Sequence, residues 1–305
     1  MKQLFAQNGN YAPGKFWLKA VKAISDEYRT YGIENFRNSN INLQFFVPTY
    51  GSPGNGFSSE EIESINVKLD DQLTKKQKSH IVHNLNGSNH ANADFGTFYA
   101  SNEDKDKLNL LGFSESNIGS PREHFDFGGK KFSRSSLNYL LGLSFLKRVL
   151  PSFIPQTVLE IGGGFGTLGE ILFKSNIKNL RYIDLDLPPM FLIAEDFIRS
   201  TFKNEIISDR RKYSNKEINI MDLEKFTFLP NWSIECLKGS IDLFVNFISF
   251  QEMEPSIVRN YALYIQNLKP KYILLRNLRE GKQKSRNGGL GVEQPILQKD
   301  YMSFF

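Results

Sequence analysis

The densest chemical signal in the chain is VLEIGGGFGTLGE, Val158 to Glu170, in which a glutamate precedes a run of glycines. Glycines at 162, 163, 164 and 166 let the backbone turn tightly and bring its amides close to a ligand. Read from Gly164, the same letters satisfy the dinucleotide pattern G-x-G-x-x-G. Glu160 separates the two readings. A pyrophosphate is anionic, and a carboxylate beside the turn repels it. S-adenosylmethionine has no phosphate but carries a sulfonium and an ammonium group, and an acid suits that cationic end.

Further acids follow at intervals that fit the same ligand. RYIDLDLPP offers Asp184 and Asp186, roughly 20 residues past the turn, where a carboxylate accepts hydrogen bonds from ribose hydroxyls. Asp186 is favoured because the chain must leave the sheet at Leu-Pro-Pro. NIMDLEKF then places Met221 and Asp222 where an adenine would lie, the thioether against its face and the carboxylate on its amino group, or Asp222 simply caps a turn.

Methyl transfer from a sulfonium to a hydroxyl needs in-line positioning and a base for the proton. In IDLFVNFISFQEMEP, Asn246, Ser249, Gln251, Glu252 and Glu254 lie towards or beyond the end of a strand, and Glu252 is the preferred base. Of the four histidines, His80 and His83 are three apart, but no acid or cysteine stands at metal-ligand spacing, so no metal is expected. His124 lies in GSPREHFDFGGKKF with Arg122, Glu123 and Asp126 interleaved with Phe125 and Phe127, a mixture suited to a sugar's hydroxyl edges and apolar faces. LLRNLREGK presents Arg276, able to bind a substrate phosphate or carboxylate, or to pair with Glu252.

Positioning these groups falls to two regions. Residues 1–130 read as mainly helical, and 131–305 as an alternating α/β domain. A helix starts near Pro13, with Phe16, Trp17, Ala20, Val21 and Ile24 at helical spacing. After a turn-rich run, Pro48 to Ser59, a second helix carries Ile62, Ile65, Leu69, Leu73 and Ile81, and a polar stretch follows at Asn86 to Gly96. Beyond Ser135 come a helix (Leu137 to Leu150), strands at Thr157 to Ile161 and Arg181 to Leu185, and helices at Gly166 to Ser175 and Met190 to Thr201. Glu217 to Met221, Ile241 to Phe247 and Tyr272 to Leu275 supply three more strands. This alternation predicts a parallel sheet with helices on both faces and a ligand at the carboxyl ends of the strands.

Composition sets the bounds. With 305 residues, 40% of them hydrophobic and 23% charged, the chain has material for a large core and is not disordered. A net charge of +5, scattered along the chain, does not make a nucleic-acid groove. One cysteine, Cys236, excludes an intrachain disulfide framework. With neither a signal-like leader nor a run of roughly 20 apolar residues, the expectation is a soluble cytoplasmic protein.

YAPGKFWLKAV, FSRSSLNYLLGLSFL, VLEIGGGFGTLGEIL, YIDLDLPPMFLIAEDFI, LFVNFISFQEMEP and LLRNLREGK, in this order over most of the chain, together resemble the sugar O-methyltransferase family associated with bacterial surface-polysaccharide biosynthesis. The resemblance implies a Rossmann-like class I methyltransferase sheet, S-adenosylmethionine as donor, and a sugar nucleotide or glycan as acceptor. By the pattern of that class, Glu160, Gly162, Gly164 and Gly166 hold the methionine end, Asp186 the ribose, and Met221 and Asp222 the adenine. DLPP also resembles the DLPH of plant small-molecule O-methyltransferases, whose catalytic histidine falls in register with Gln251. A glutamine is no base, so either Glu252 takes the proton or His124 folds over from the N-terminal region, with Arg122, Gln251 and Arg276 as substrate contacts. An acceptor other than a sugar, or a non-catalytic cofactor-binding or scaffolding subunit, fits the same residues. Class I sheets usually add two strands after the fifth; VEQPILQKDYMSFF offers one strand or helix, so the sheet is abbreviated or the chain is a piece of a longer protein.

Overall fold

The computed structural model describes residues 9–46, 59–69, 72–102, 108–213, 216–285 and 291–305; most of the turn-rich run predicted from Pro48 lies outside them. In chain order the helices of the first half are α1 (Lys15–Asn35), α2 (Asn40–Phe46), α3 (Ser59–Lys68), α4 (Lys75–Leu85) and α5 (Ser88–Ala100). A hairpin, β1 (Phe125–Phe127) and β2 (Lys130–Phe132), leads into α6 (Arg134–Val149). Then follow β3 (Thr157–Ile161), α7 (Thr167–Lys174), β4 (Arg181–Asp186), α8 (Met190–Thr201), β5 (Ile218–Asn219), β6 (Phe226–Pro230), β7 (Leu237–Lys238), β8 (Leu243–Phe247), α9 (Pro255–Asn267), β9 (Tyr272–Arg276) and α10 (Gln298–Phe304).

The predicted helix carrying Ile62 to Ile81 is two helices. Thr74 caps α4 in a reciprocal capping box with Gln77, which starts a new helix where the apolar spacing alone suggested continuity. The polar stretch at Asn86 to Gly96 is largely helix, α5. Its Asn, Ser and Gly are weak helix formers, but Ala91 and Phe98 are buried at helical spacing, and packing overrides propensity.

The chain packs as two units: Asp26–Ser152, and the described residues up to Ser25 together with Phe153–Phe305. The division predicted at residue 130 shifts for two local reasons. Asn102 Nδ2 donates to Ser144 Oγ at 2.8 Å and Lys147 Nζ to Asn102 Oδ1 at 2.9 Å, tying α6 to α5. At the other end, Tyr11 belongs to the apolar core of the sheet unit, with Leu159, Ile161, Leu185, Phe250 and Tyr261.

That unit holds the expected parallel α/β sheet. Its five strands run in the order β6-β4-β3-β8-β9, all neighbours parallel. β3 and β8 are buried at every position, as expected of strands covered on both faces. Register sets Glu160 beside Asp184 and beside Val245, and Phe247 beside Arg276, so the predicted site residues of four strands end at one edge. Among the described residues no further strand joins this sheet after β9. None of the described helices is long and apolar enough to cross a membrane.

Candidate active site at the carboxyl edge of the sheet

The glycine turn leaves β3 and opens α7, with Gly166 at φ 93° as its N-cap. Two of its glycines are required by close approach. A Cβ on Gly162, itself at φ 77°, would stand 2.3 Å from Ser249 Oγ, and one on Gly163 would stand 2.7 Å from Asp184 Oδ1 and 2.8 Å from Glu160 Oε2. The turn is thus pressed between the end of β8 and two carboxylates.

The amides of the turn are taken by those acids. Gly163 N donates to Asp184 Oδ1 at 3.2 Å and Gly164 N to Asp186 Oδ2 at 3.0 Å, while Leu187 N donates to Asp186 Oδ1 at 2.6 Å. Tyr182 OH donates to Glu160 Oε2 at 2.5 Å. Glu160 and Asp184 are fully buried, whereas Asp186 keeps 8% exposure at the strand end. Burial pushes the Asp186 carboxyl up to about 7 against the amides of Leu187 and Gly164, which pull it down. Asp184 rises well above the usual carboxylate range, through burial first and then the charges of Asp186 and Glu160, opposed by the Gly163 amide. Its Oδ2 is buried with no hydrogen-bond partner among the described residues.

These groups fit a nucleoside with a cationic tail. Asp186 ends β4 directly before Leu-Pro-Pro and is the one of the three acids that keeps some exposure. Glu160, predicted to face the cationic end, faces Tyr182 and the underside of the turn.

Met221 and Asp222 are not at this edge, and the adenine assignment made for them is corrected. The third strand of the sheet is β6, not Glu217 to Met221. Ile218–Asn219 instead pairs with Leu237–Lys238 in a separate two-stranded ladder. Arg181, at the amino end of β4, donates from Nη2 to Met221 O at 3.2 Å and from Nε to Leu223 O at 2.9 Å. Met221 thus lies at the opposite end of the strand from Asp186, about 16 Å away by strand rise, and is 63% exposed. The residues that follow the true third strand are Asn231, Trp232 and Ser233, in a 3₁₀ segment Asn231–Cys236. The alternation in FTFLP just before them was the available signal, masked by the equally strand-like EINIM upstream.

Beyond the glycine turn, Ile248 leaves β8 at φ 71° and ψ −43°, a conformation costly for a β-branched residue. It redirects the chain into a 3₁₀ turn, Ser249–Glu252. Asn246, Asn277 and Gln251 knit this turn to the end of β9: Asn277 Nδ2 donates to Asn246 Oδ1 at 3.2 Å, Gln251 N to Asn277 Oδ1 at 3.3 Å, and Leu278 N to Gln251 Oε1 at 2.6 Å. Gln251 is buried in that network. Glu252 accepts from Trp17 Nε1 at 3.0 Å and from Lys282 Nζ at 2.9 Å. A carboxylate has about four acceptor sites, so Glu252 retains capacity for a substrate hydroxyl. Arg276 ends β9 half-buried, with its carbonyl accepting from Ile248 N at 3.0 Å.

Arg122 and His124 belong to the Asp26–Ser152 unit. Arg122 is exposed. His124 joins a buried ionic cluster: Arg37 donates from Nε to Glu123 and from Nη2 to Glu115, each at 2.6 Å, and His124 Nε2 stands 3.2 Å from Arg37 Nη2 and 3.6 Å from Glu115 Oε2. Burial raises Glu115, but Arg37 and His124 outweigh it and hold the carboxyl well below its usual range. Burial raises Glu123 despite Arg37. Among the described residues no group of three or more His, Cys, Asp or Glu could hold a metal ion.

No family model matches the chain, and no curated protein does. Solved structures similar to it include the mitomycin 7-O-methyltransferase MmcR, with 15% identity over 51% of this chain and 42% of that one (TM-score 0.31). Magnesium protoporphyrin IX methyltransferase (ChlM) from Synechocystis PCC 6803 with bound SAM has 9% identity over 56% and 67% (TM-score 0.33). EvdMO1 has 11% identity over 60% and 37% (TM-score 0.34). The chain spans about two-fifths of MmcR, and the reading of the site rests on its own geometry.

Proposed function

We propose that the chain is an S-adenosylmethionine-dependent O-methyltransferase acting on a hydroxyl of a sugar or glycan, in surface-polysaccharide biosynthesis. The observation that carries the cofactor choice is the pair of turn amides already held by Asp184 and Asp186. A pyrophosphate needs those amides, which the acids already hold; a cationic nucleoside does not need them. When bound, S-adenosylmethionine supplies an electrophilic methyl group on sulfur. Asp186 then accepts the ribose hydroxyls, and Glu252 orients the acceptor hydroxyl and takes its proton. Asn231 and Trp232 replace Met221 and Asp222 on the adenine side.

The sugar acceptor is supported by the order of the sequence motifs over most of the chain.

Calorimetry with S-adenosylmethionine and NAD tests the cofactor: saturable binding of the first alone is expected, and binding of NAD alone would overturn the reading. Transfer of labelled methyl groups to sugar nucleotides and to phenolic metabolites then tests the acceptor. Loss of transfer in Glu252→Gln assigns that carboxylate as the base, whereas loss only in His124→Ala moves the role to the histidine.

A further inference from the structure

Eleven residues into the chain, a side chain is held by groups more than two hundred positions away. Tyr11 OH donates to Glu235 at 2.8 Å, its carbonyl accepts from Asn231 Nδ2 at 3.0 Å, and its ring meets Tyr261 edge-on at 5.4 Å. Asn231 directly follows β6, so Tyr11 is moored at the carboxyl edge of the third strand. Trp17 is moored to Glu252, which follows β8. In the sheet order, β4 and β3 lie between those two strands. The path from Tyr11 to Trp17 therefore crosses three strand spacings, about 14 Å. Six residues extend to about 20 Å, so the crossing is short and nearly direct. What stands beneath it are the carboxyl ends of β4 and β3, where Asp186 and the glycine turn are.

We infer that Tyr11–Trp17 is a strap over the cofactor cleft, and that Trp17 is a positioning residue: its indole N–H, opposite the Lys282 ammonium, holds the Glu252 carboxylate towards the acceptor. The inference rests on the methyltransferase reading. The strap turns an open sheet edge into a covered site, excluding water from the transferring methyl group, and it makes cofactor exchange dependent on the release of one hydrogen bond to a charged group.

The chain has two tryptophans, Trp17 and Trp232, which makes the strap observable. In Trp232→Phe the emission comes from Trp17 alone. Titration with S-adenosylmethionine and with S-adenosylhomocysteine should change that emission and shield it from acrylamide, with a midpoint equal to the Kd measured by calorimetry on the same Trp232→Phe variant. In Trp17→Phe, which keeps an apolar ring but loses the donor, surface plasmon resonance should show dissociation of S-adenosylhomocysteine faster by about tenfold, the worth of one hydrogen bond to a charged group. Binding in the calorimeter with flat Trp17 emission, or an unchanged dissociation rate in Trp17→Phe, overturns the strap while leaving the methyltransferase reading intact. No binding of either compound to the wild-type chain overturns that reading, and the strap with it.

Discussion

Asp186 should make nucleoside binding depend on pH around neutrality. Its carboxyl is pushed up to about 7 by burial, against two amides that favour the ionised form. A ribose donates its hydroxyl hydrogens, so binding selects the carboxylate. At pH 8 most free chains present it; at pH 6 only about one in ten does. The dissociation constant should therefore weaken by about tenfold between pH 8 and pH 6, or about 1.4 kcal/mol. The suitable probe is 5′-methylthioadenosine, which keeps the ribose and adenine and lacks the titrating amino acid. Calorimetry at pH 6 in buffers of different ionisation enthalpy should also register the release of close to one proton. The linkage has a second sign. A folded pKa above the unfolded value means that the folded chain binds more protons, so the free protein loses stability as pH rises from about 4 to about 7, and Asp186→Asn should remove that fall. An affinity flat from pH 6 to 8, or an equal pH dependence in Asp186→Asn, refutes the argument.

Other substitutions test the packing around the site. Gly163→Ala places a methyl group 2.7 Å from Asp184 Oδ1; urea unfolding should show a loss of about 1–3 kcal/mol, with cofactor affinity falling at least tenfold (~1.4 kcal/mol). Arg37→Met leaves Glu115 and Glu123 buried without their cation, and should cost about 3–5 kcal/mol by the same measurement; adding Glu115→Gln and Glu123→Gln should restore much of it. A Tyr182→Phe variant removes the phenol that donates to Glu160 and should lower stability by about 1–3 kcal/mol while the sheet, followed by circular dichroism, persists.

The sheet was legible in the sequence wherever a buried apolar run ended in a chemical signal. VLEI before the glycines and RYIDLD before Leu-Pro-Pro could be placed because a turn and an acid marked their carboxyl ends. The third strand was not, since EINIM and FTFLP have the same local pattern and only the five residue pairings of β6 with β4 decide between them. α5 was hidden because its helicity comes from tertiary burial of Ala91 and Phe98 rather than from its Asn-rich composition. Leu-Pro-Pro marked the end of β4 at Asp186. The orientation of Glu160 was not legible, because Tyr182 reaches it from the neighbouring strand. Trp17 reads as part of the apolar face of a helix starting near Pro13, and Tyr11 lies outside that pattern; their partners, Glu252 and Glu235, lie at separations that no periodicity reports.

The distance along the chain between Tyr11 and Glu235 has a kinetic meaning. The two are 224 residues apart, and at a synthesis rate of about 5–20 residues per second the ribosome takes roughly 10–45 s to travel from one to the other. The sheet unit therefore cannot close behind its own leading residues. Throughout that interval Tyr11 is without Glu235, while residues 26–152 are synthesised. Tyr11 is thus made long before Glu235, and the hydrogen bond between them forms late in the synthesis of the sheet unit.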